Sequence, residues 1–204
     1  MTAQELAQRL EPLFPALDER DRRLSLALYR ELAGGAPASL PEEGLKRMRD
    51  WPGVYYDAER RVIGFWGLSL AKARHRLRIG EHELFAWCAW DALFLPAVLR
   101  RRIEVESTCH GTGEAVRLAV SPTAVESAEP PQLVVSFVVP DAEAVRADVI
   151  ASFCHYVYFF SSEDAAGAWR GQHREGFLLS LAEAFELGRL LNLRRYGAAL
   201  TSAG

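Results

Sequence analysis

Apolar and polar positions change period several times along the chain, and each change predicts an element. Residues 3–32 carry apolar positions at helical spacing, with Leu24, Leu26, Leu28, Tyr29 and Leu32 along one side. This predicts one or two helices, stopped at Gly34-Gly35. Residues 40–48, with Pro41 near the first turn, predict a short helix. Val54-Tyr55-Tyr56 and the run 62–66 flank the polar segment 57–61, which is a hairpin pattern. A further strand is expected at 76–79, turned at Gly80. Residues 84–99 are almost continuously apolar and predict a buried helix with Pro96 close to its end. Residues 103–107 and 116–120 alternate as half-buried strands, and 133–139 read as an interior strand between Pro131 and Pro140. Residues 154–160 read as another strand or its start. Residues 165–172 predict a helix capped by Ser162 or Asp164, and 178–195 a last helix striped by Leu181, Phe185, Leu187 and Leu191.

Helices, then a hairpin, then strands closed by a helix make the fold class α+β. We expect a helical, winged-helix-like N-terminal region over residues 1–80. A mixed α+β core with antiparallel strands and a C-terminal helix follows over 81–204 and carries the cysteines. With 204 residues, half of them hydrophobic, the chain can bury a sizeable core. The formal net charge of −3 offers no global attraction to nucleic acid. Lys46, Arg47, Arg49, Arg60 and Arg61 could meet phosphates as a winged helix does, but no wider basic patch joins them, and a solvated face is the simpler reading. No apolar stretch is long enough for a membrane span, and the opening segment lacks the apolar run of a signal peptide. The expectation is a cytoplasmic protein without membrane or nucleic-acid partners. Thiols stay reduced there, and an odd count of three cysteines argues against a disulfide scaffold.

The candidate chemistry gathers at Cys88 and Asp91. On a helix, positions three apart share a face, so a thiol and a carboxyl would stand side by side in an apolar wall. A buried carboxyl resists ionisation and can carry a proton near neutral pH. Cys109 and Cys154 are available to complete a site. The plainer alternatives are core packing for the cysteines and a hydrogen-bonded core aspartate for Asp91. His110 and His155 each follow a cysteine, but no paired spacing supports zinc. His75, His82 and His173 read as surface residues, and Trp51, Trp66 and Trp169 as packing aromatics.

Several segments resemble the organomercurial lyase (alkylmercury lyase) family in order. Phe85-Ala86-Trp87-Cys88-Ala89-Trp90-Asp91-Ala92-Leu93-Phe94-Leu95-Pro96 is similar to its first catalytic motif. Ser107-Thr108-Cys109-His110-Gly111-Thr112-Gly113 resembles its second cysteine segment, and Val120-Ser121-Pro122 continues the match. Residues 152–160 resemble its third cysteine segment and Glu183-Ala184-Phe185-Glu186-Leu187-Gly188 its final helix, so the likeness spans about 24–195. The resemblance implies that Cys88, Asp91 and Cys154 cleave a carbon–mercury bond and hold the mercury, with Cys109 buried and structural. It implies a small organomercurial substrate, Hg(II) as product and no required cofactor. Cellular thiols or a mercuric reductase would then accept the metal. Two departures stand out: His155 occupies a position where many members carry a further cysteine, and residues 48–54 leave little room for a second long winged-helix helix. The alternative reading is a thiol-based soft-metal binder or sensor, which would need the cysteines but not Asp91.

Overall fold

Short polar side chains start the first helices. Thr2 and Glu5 exchange side-chain and backbone hydrogen bonds at the head of α1 (Ala3–Leu10), and Asp18 and Asp21 do the same for α2 (Glu19–Leu32). Then come α3 (Glu42–Met48) and the hairpin of β1 (Val54–Tyr56) and β2 (Val62–Phe65), so the expected order of helices then hairpin is present. The structure is a computed structural model that describes residues 2–49 and 51–202. Residues 1, 50, 203 and 204, included in the two expected regions, lie outside it.

The hairpin opens a larger sheet. β3 (Leu68–Ser69), β4 (His75–Ile79) and β5 (His82–Ala86) lead to α4 (Asp91–Leu99), followed by β6 (Ile103–Thr108), β7 (Ala115–Val120) and β8 (Val125–Glu129). All pairings are antiparallel, in the order β1-β2-β3-β5-β4-β6-β7-β8. The boundary expected at 80/81 falls in the turn between β4 and β5, and the sheet continues across it. β9 (Val134–Phe137) is the middle strand of a second antiparallel sheet. After α5 (Ala142–Ala147) and α6 (Val149–Ser152), β10 (Phe159–Phe160) pairs on one side of β9. After α7 (Gly167–Gln172), β11 (Phe177–Ser180) pairs on the other. α8 (Leu181–Tyr196) and α9 (Ala199–Ser202) close the chain. The fold is mixed α+β with antiparallel sheets.

Four local expectations are corrected. The run 84–99 is not one helix: Leu84–Ala86 lies in β5, a turn follows, and the helix starts at Asp91. Residues 154–160 are not one strand, because Cys154–Tyr156 forms a 3₁₀ turn and only Phe159–Phe160 pairs. The last helix begins at Leu181, since 178–180 belong to β11. His75 is fully buried rather than on the surface, because β4 alternates and places His75, Leu77 and Ile79 inward. Arg76 and Arg78 face outward and pair with Glu83, Glu106 and Glu104.

Helix α8 is the pillar on which α1 and α4 both pack. Gly188 allows the contact: a Cβ there would stand 2.6 Å from the Cβ of Phe94. Asn192 donates to the Phe94 carbonyl at 3.0 Å, and the Trp90 indole donates to the Ala184 carbonyl at 3.0 Å. Both bonds are buried and tie the start of α4 to α8. Gly188→Ala should therefore force the helices apart and lower stability by about 1–3 kcal/mol. Urea unfolding checks this, and wild-type stability in the variant would contradict it.

Candidate active site

Cys88 lies in the turn between β5 and α4, two residues past the last paired position of β5. Its backbone N–H donates to the Asp91 carboxylate at 2.8 Å. The acid sits at the first helical position and folds back over the turn, so thiol and carboxyl meet through a backbone hydrogen bond rather than along one helix face. The partial positive end of α4 lies here as well, a favourable place for negative charge. Gly67, in the turn between β2 and β3, leans on the same carboxyl from the other side. Its φ is +93°, and a Cβ would come within 2.6 Å of the Asp91 carboxyl carbon.

Cys154 arrives from the second half of the chain, on the 3₁₀ turn after α6. The Ala89 N–H donates to the Val157 carbonyl at 3.2 Å, which docks that turn against the Cys88 turn. Among the described residues, Cys88, Asp91 and Cys154 form the one trio with metal-ligand spacing, each sulfur or carboxylate oxygen within 4.8 Å of the others. All three are buried. A separation of that size is about twice a zinc–thiolate bond of ~2.3 Å, so one soft metal ion can touch both sulfurs.

Burial sets the protonation states. It pushes the Asp91 carboxyl up to about 7, against the pull of the Cys88 and Trp87 N–H groups and the Cys88 thiol. The Cys88 thiol is driven well above its ordinary range by burial first, then by Cys154 and the Asp91 charge. For Cys154 the hydrogen bond with Cys88 pulls downward, but burial together with the charges of Asp91 and Asp148 leaves it raised. The two thiols are thus held protonated in an apolar wall, while the acid between them stands close to half-protonated at neutral pH.

A cavity against Asp91 and Cys154, which Cys88 does not line, is bordered by Leu10, Leu13, Phe14, Trp66, Gly67, Trp87, Trp90, Phe94, Pro140, Val145, Val149 and Phe153. Its volume is about 30 Å³, the space of roughly one water molecule. Two segments cover it, residues 10–14 and 140–153. The first is held from behind by α8: Arg194 pairs with Glu11 at 2.7 Å, and the Arg195 guanidinium lies 4.4 Å over the Phe14 ring.

The third cysteine stands apart from the trio. Cys109 is buried, and its sulfur accepts the Ser161 N–H at 3.2 Å, pinning the β6–β7 loop to the segment after β10. Burial pushes this thiol up, but hydrogen bonds from Ser161 and Thr112 outweigh it and bring it to about 7. His110 stacks on Tyr158 with ring centroids 3.8 Å apart and faces Arg74, while His155 is exposed. Lys46, Arg47 and Arg61 are engaged in ion pairs with Glu42, with Asp18 and Asp21, and with Asp57 and Glu59. Sequence reasoning missed Gly67 and the covering residues 140–149. A glycine inside a strand pattern is a signal of close approach that could have found the first.

Known proteins resemble this chain in sequence and in fold. Residues 68–192 match the family model described as alkylmercury lyase. A Staphylococcus epidermidis alkylmercury lyase is 44% identical over 177 residues, covering 82% of this chain and 80% of the relative. A Streptomyces lividans alkylmercury lyase is 36% identical over 201 residues, covering 93% and 92%. Among solved structures, the mercury-bound form of MerB2 superposes with a TM-score of 0.76 at 23% identity, over 92% of this chain and 97% of that one. That last likeness concerns the fold.

The raised Asp91 value carries a stability signature. A carboxyl held at about 7 in the folded protein, above its ordinary 3.8, stabilises the fold fully below pH about 4 and loses that contribution as pH rises through 7. Asp91→Asn, a neutral mimic, should abolish the dependence. From pH about 4 to 8, the stability of the protein relative to this variant should fall by on the order of a few kcal/mol in urea unfolding. A pH-independent difference would contradict the assignment.

Proposed function

We infer the reaction from one premise: this chain belongs to the alkylmercury lyase family. It cleaves the carbon–mercury bond of organomercurials by protonolysis, giving a hydrocarbon and Hg(II). The observation that carries the residue roles is the trio itself, two thiols and one acid within 4.8 Å of one another in a dry wall. We propose that Cys88 and Cys154 bind the mercury and that Asp91 moves the proton.

Mercury(II) is soft, and thiolates are its preferred ligands. One thiolate on an alkylmercury cation leaves a stable complex. A second pushes electron density through the metal onto carbon, which becomes basic enough to take a proton. The two thiols enter with two protons. One departs with the ligand that the mercury brought; the other passes to Asp91 and from there to carbon as the carbon–mercury bond breaks. A carboxyl near 7 can both accept and return that proton close to neutral pH. The positive metal favours both thiolates, which offsets the burial that otherwise keeps them protonated. Trp87, Trp90 and Phe94 keep competing water from the cleaving bond. Proton transfer of this kind contributes about 10²–10⁴-fold in rate.

In this reading the enzyme needs no resident cofactor, because substrate mercury supplies the Lewis acid. Hg(II) leaves to cellular thiols or to a mercuric reductase, in the cytoplasm, and nucleic acid has no role. No helix among the described residues is long and apolar enough to cross a membrane.

Cys88→Ser, Cys154→Ser and Asp91→Ala should each abolish hydrocarbon release, read as methane or benzene in the headspace over alkyl- or arylmercury with excess thiol. Cys109→Ser should keep the chemistry and lose about 1–2 kcal/mol of stability. Full turnover by the Cys154→Ser protein would sink the two-thiol mechanism.

A further inference from the structure

Cleavage leaves Hg(II) on two buried sulfurs, and release by ligand exchange needs a thiol that can approach from solvent. A groove of about 840 Å³ lies on the far side of the wall that carries Cys154. Neighbouring residues on this wall face opposite ways. On α1, Leu10 lines the cavity and Arg9 the groove. Around the 3₁₀ turn, Phe153 and Cys154 line the cavity while Ser152 and Tyr156 line the groove, and Pro140 lines both. One thickness of chain therefore separates groove from cavity at Cys154.

The groove has a definite chemistry. Arg9, His173 and Arg174 border it, against Glu175 as its one lining acid among the described residues. Arg174 is exposed, and the Tyr156 ring packs edge-on against His173 at 5.5 Å between centroids. The volume suits a small peptide-sized ligand rather than a single ion. Two arginines against one acid, beside an aromatic ring, fit a molecule that carries carboxylates.

We propose that this groove binds a small thiol bearing carboxylates and presents its sulfur to the mercury at Cys154. The proposal rests on the lyase reading above. The incoming thiol forms a mercury–sulfur bond and gives up its proton, the mercury–Cys154 bond breaks, and the Cys154 thiolate takes a proton. A second thiol repeats the exchange at Cys88. Mercury stays Hg(II) throughout, and nothing is oxidised or reduced. The carboxylates anchor on the Arg174 side, which leaves the thiol's sulfur nearest Ser152 and Tyr156, the neighbours of Cys154 that line the groove.

Two measurements decide it. The first uses S-methylglutathione, which keeps the carboxylates but cannot bind mercury as a thiolate. Titrated into the metal-free protein, it should bind saturably, and Arg174→Glu, a surface change that leaves the core untouched, should weaken binding about fivefold or more. Added salt should weaken it as well. The second follows multiple-turnover hydrocarbon release with glutathione or uncharged 2-mercaptoethanol as the thiol. In Arg174→Glu the half-saturating concentration of glutathione relative to 2-mercaptoethanol should rise by a similar factor. No saturable binding of S-methylglutathione, or an unchanged ratio between the thiols, overturns the proposal. Absence of hydrocarbon release with every thiol would instead overturn the lyase reading, and the binding measurement would then decide the groove alone.

Discussion

The hydrogen bond from the Cys88 N–H to the Asp91 carboxylate is the constraint around which the rest is arranged. A carboxyl placed in an apolar wall is costly unless something holds it. Here a backbone donor fixes its position while burial keeps its proton affinity high. The same bond shapes the turn that delivers the Cys88 sulfur. Position and proton affinity thus come from one short segment, and Gly67, by carrying no side chain, leaves the space that the acid fills.

That segment would drift without support from distant parts of the chain. Helix α8 supplies it, through Asn192, which donates to the Phe94 carbonyl, and through the Ala184 carbonyl, which accepts from the Trp90 indole. The Ala89–Val157 bond supplies the other half by seating the turn that bears Cys154. The second thiol is therefore positioned by the small sheet and the 3₁₀ turn, and the first thiol and the acid by the start of α4. The two halves meet only in the folded state, where burial raises both thiols and the acid together.

Much of this could be read from residues alone. The 54–65 hairpin, the alternating strands β6 and β7, the interior strand β9 and most of α8 follow from period and punctuation. The trio was reached through the likeness of ordered motifs, with a helical-face argument that fails in detail. An unbroken apolar run cannot distinguish a buried helix from a strand, turn and helix in series. The run of aromatic and β-branched residues after Cys154 likewise hides a 3₁₀ turn, because tertiary docking at Val157 overrides local preference. Strand β8 was missed for the opposite reason: Val125–Glu129 is a mostly exposed edge with little apolar alternation. His75 shows how a polar residue type misleads when strand register, not composition, decides the side it faces.

The hollow against Asp91 and Cys154 has a volume of only about 30 Å³. An arylmercury is larger than that space, so for such a substrate the residues around the hollow must give way. The residues that would have to give way are those lining it from two sides, among them Phe14 under Arg195 and the segment 140–153. The bulk of the hydrocarbon group then translates into work done on the cover.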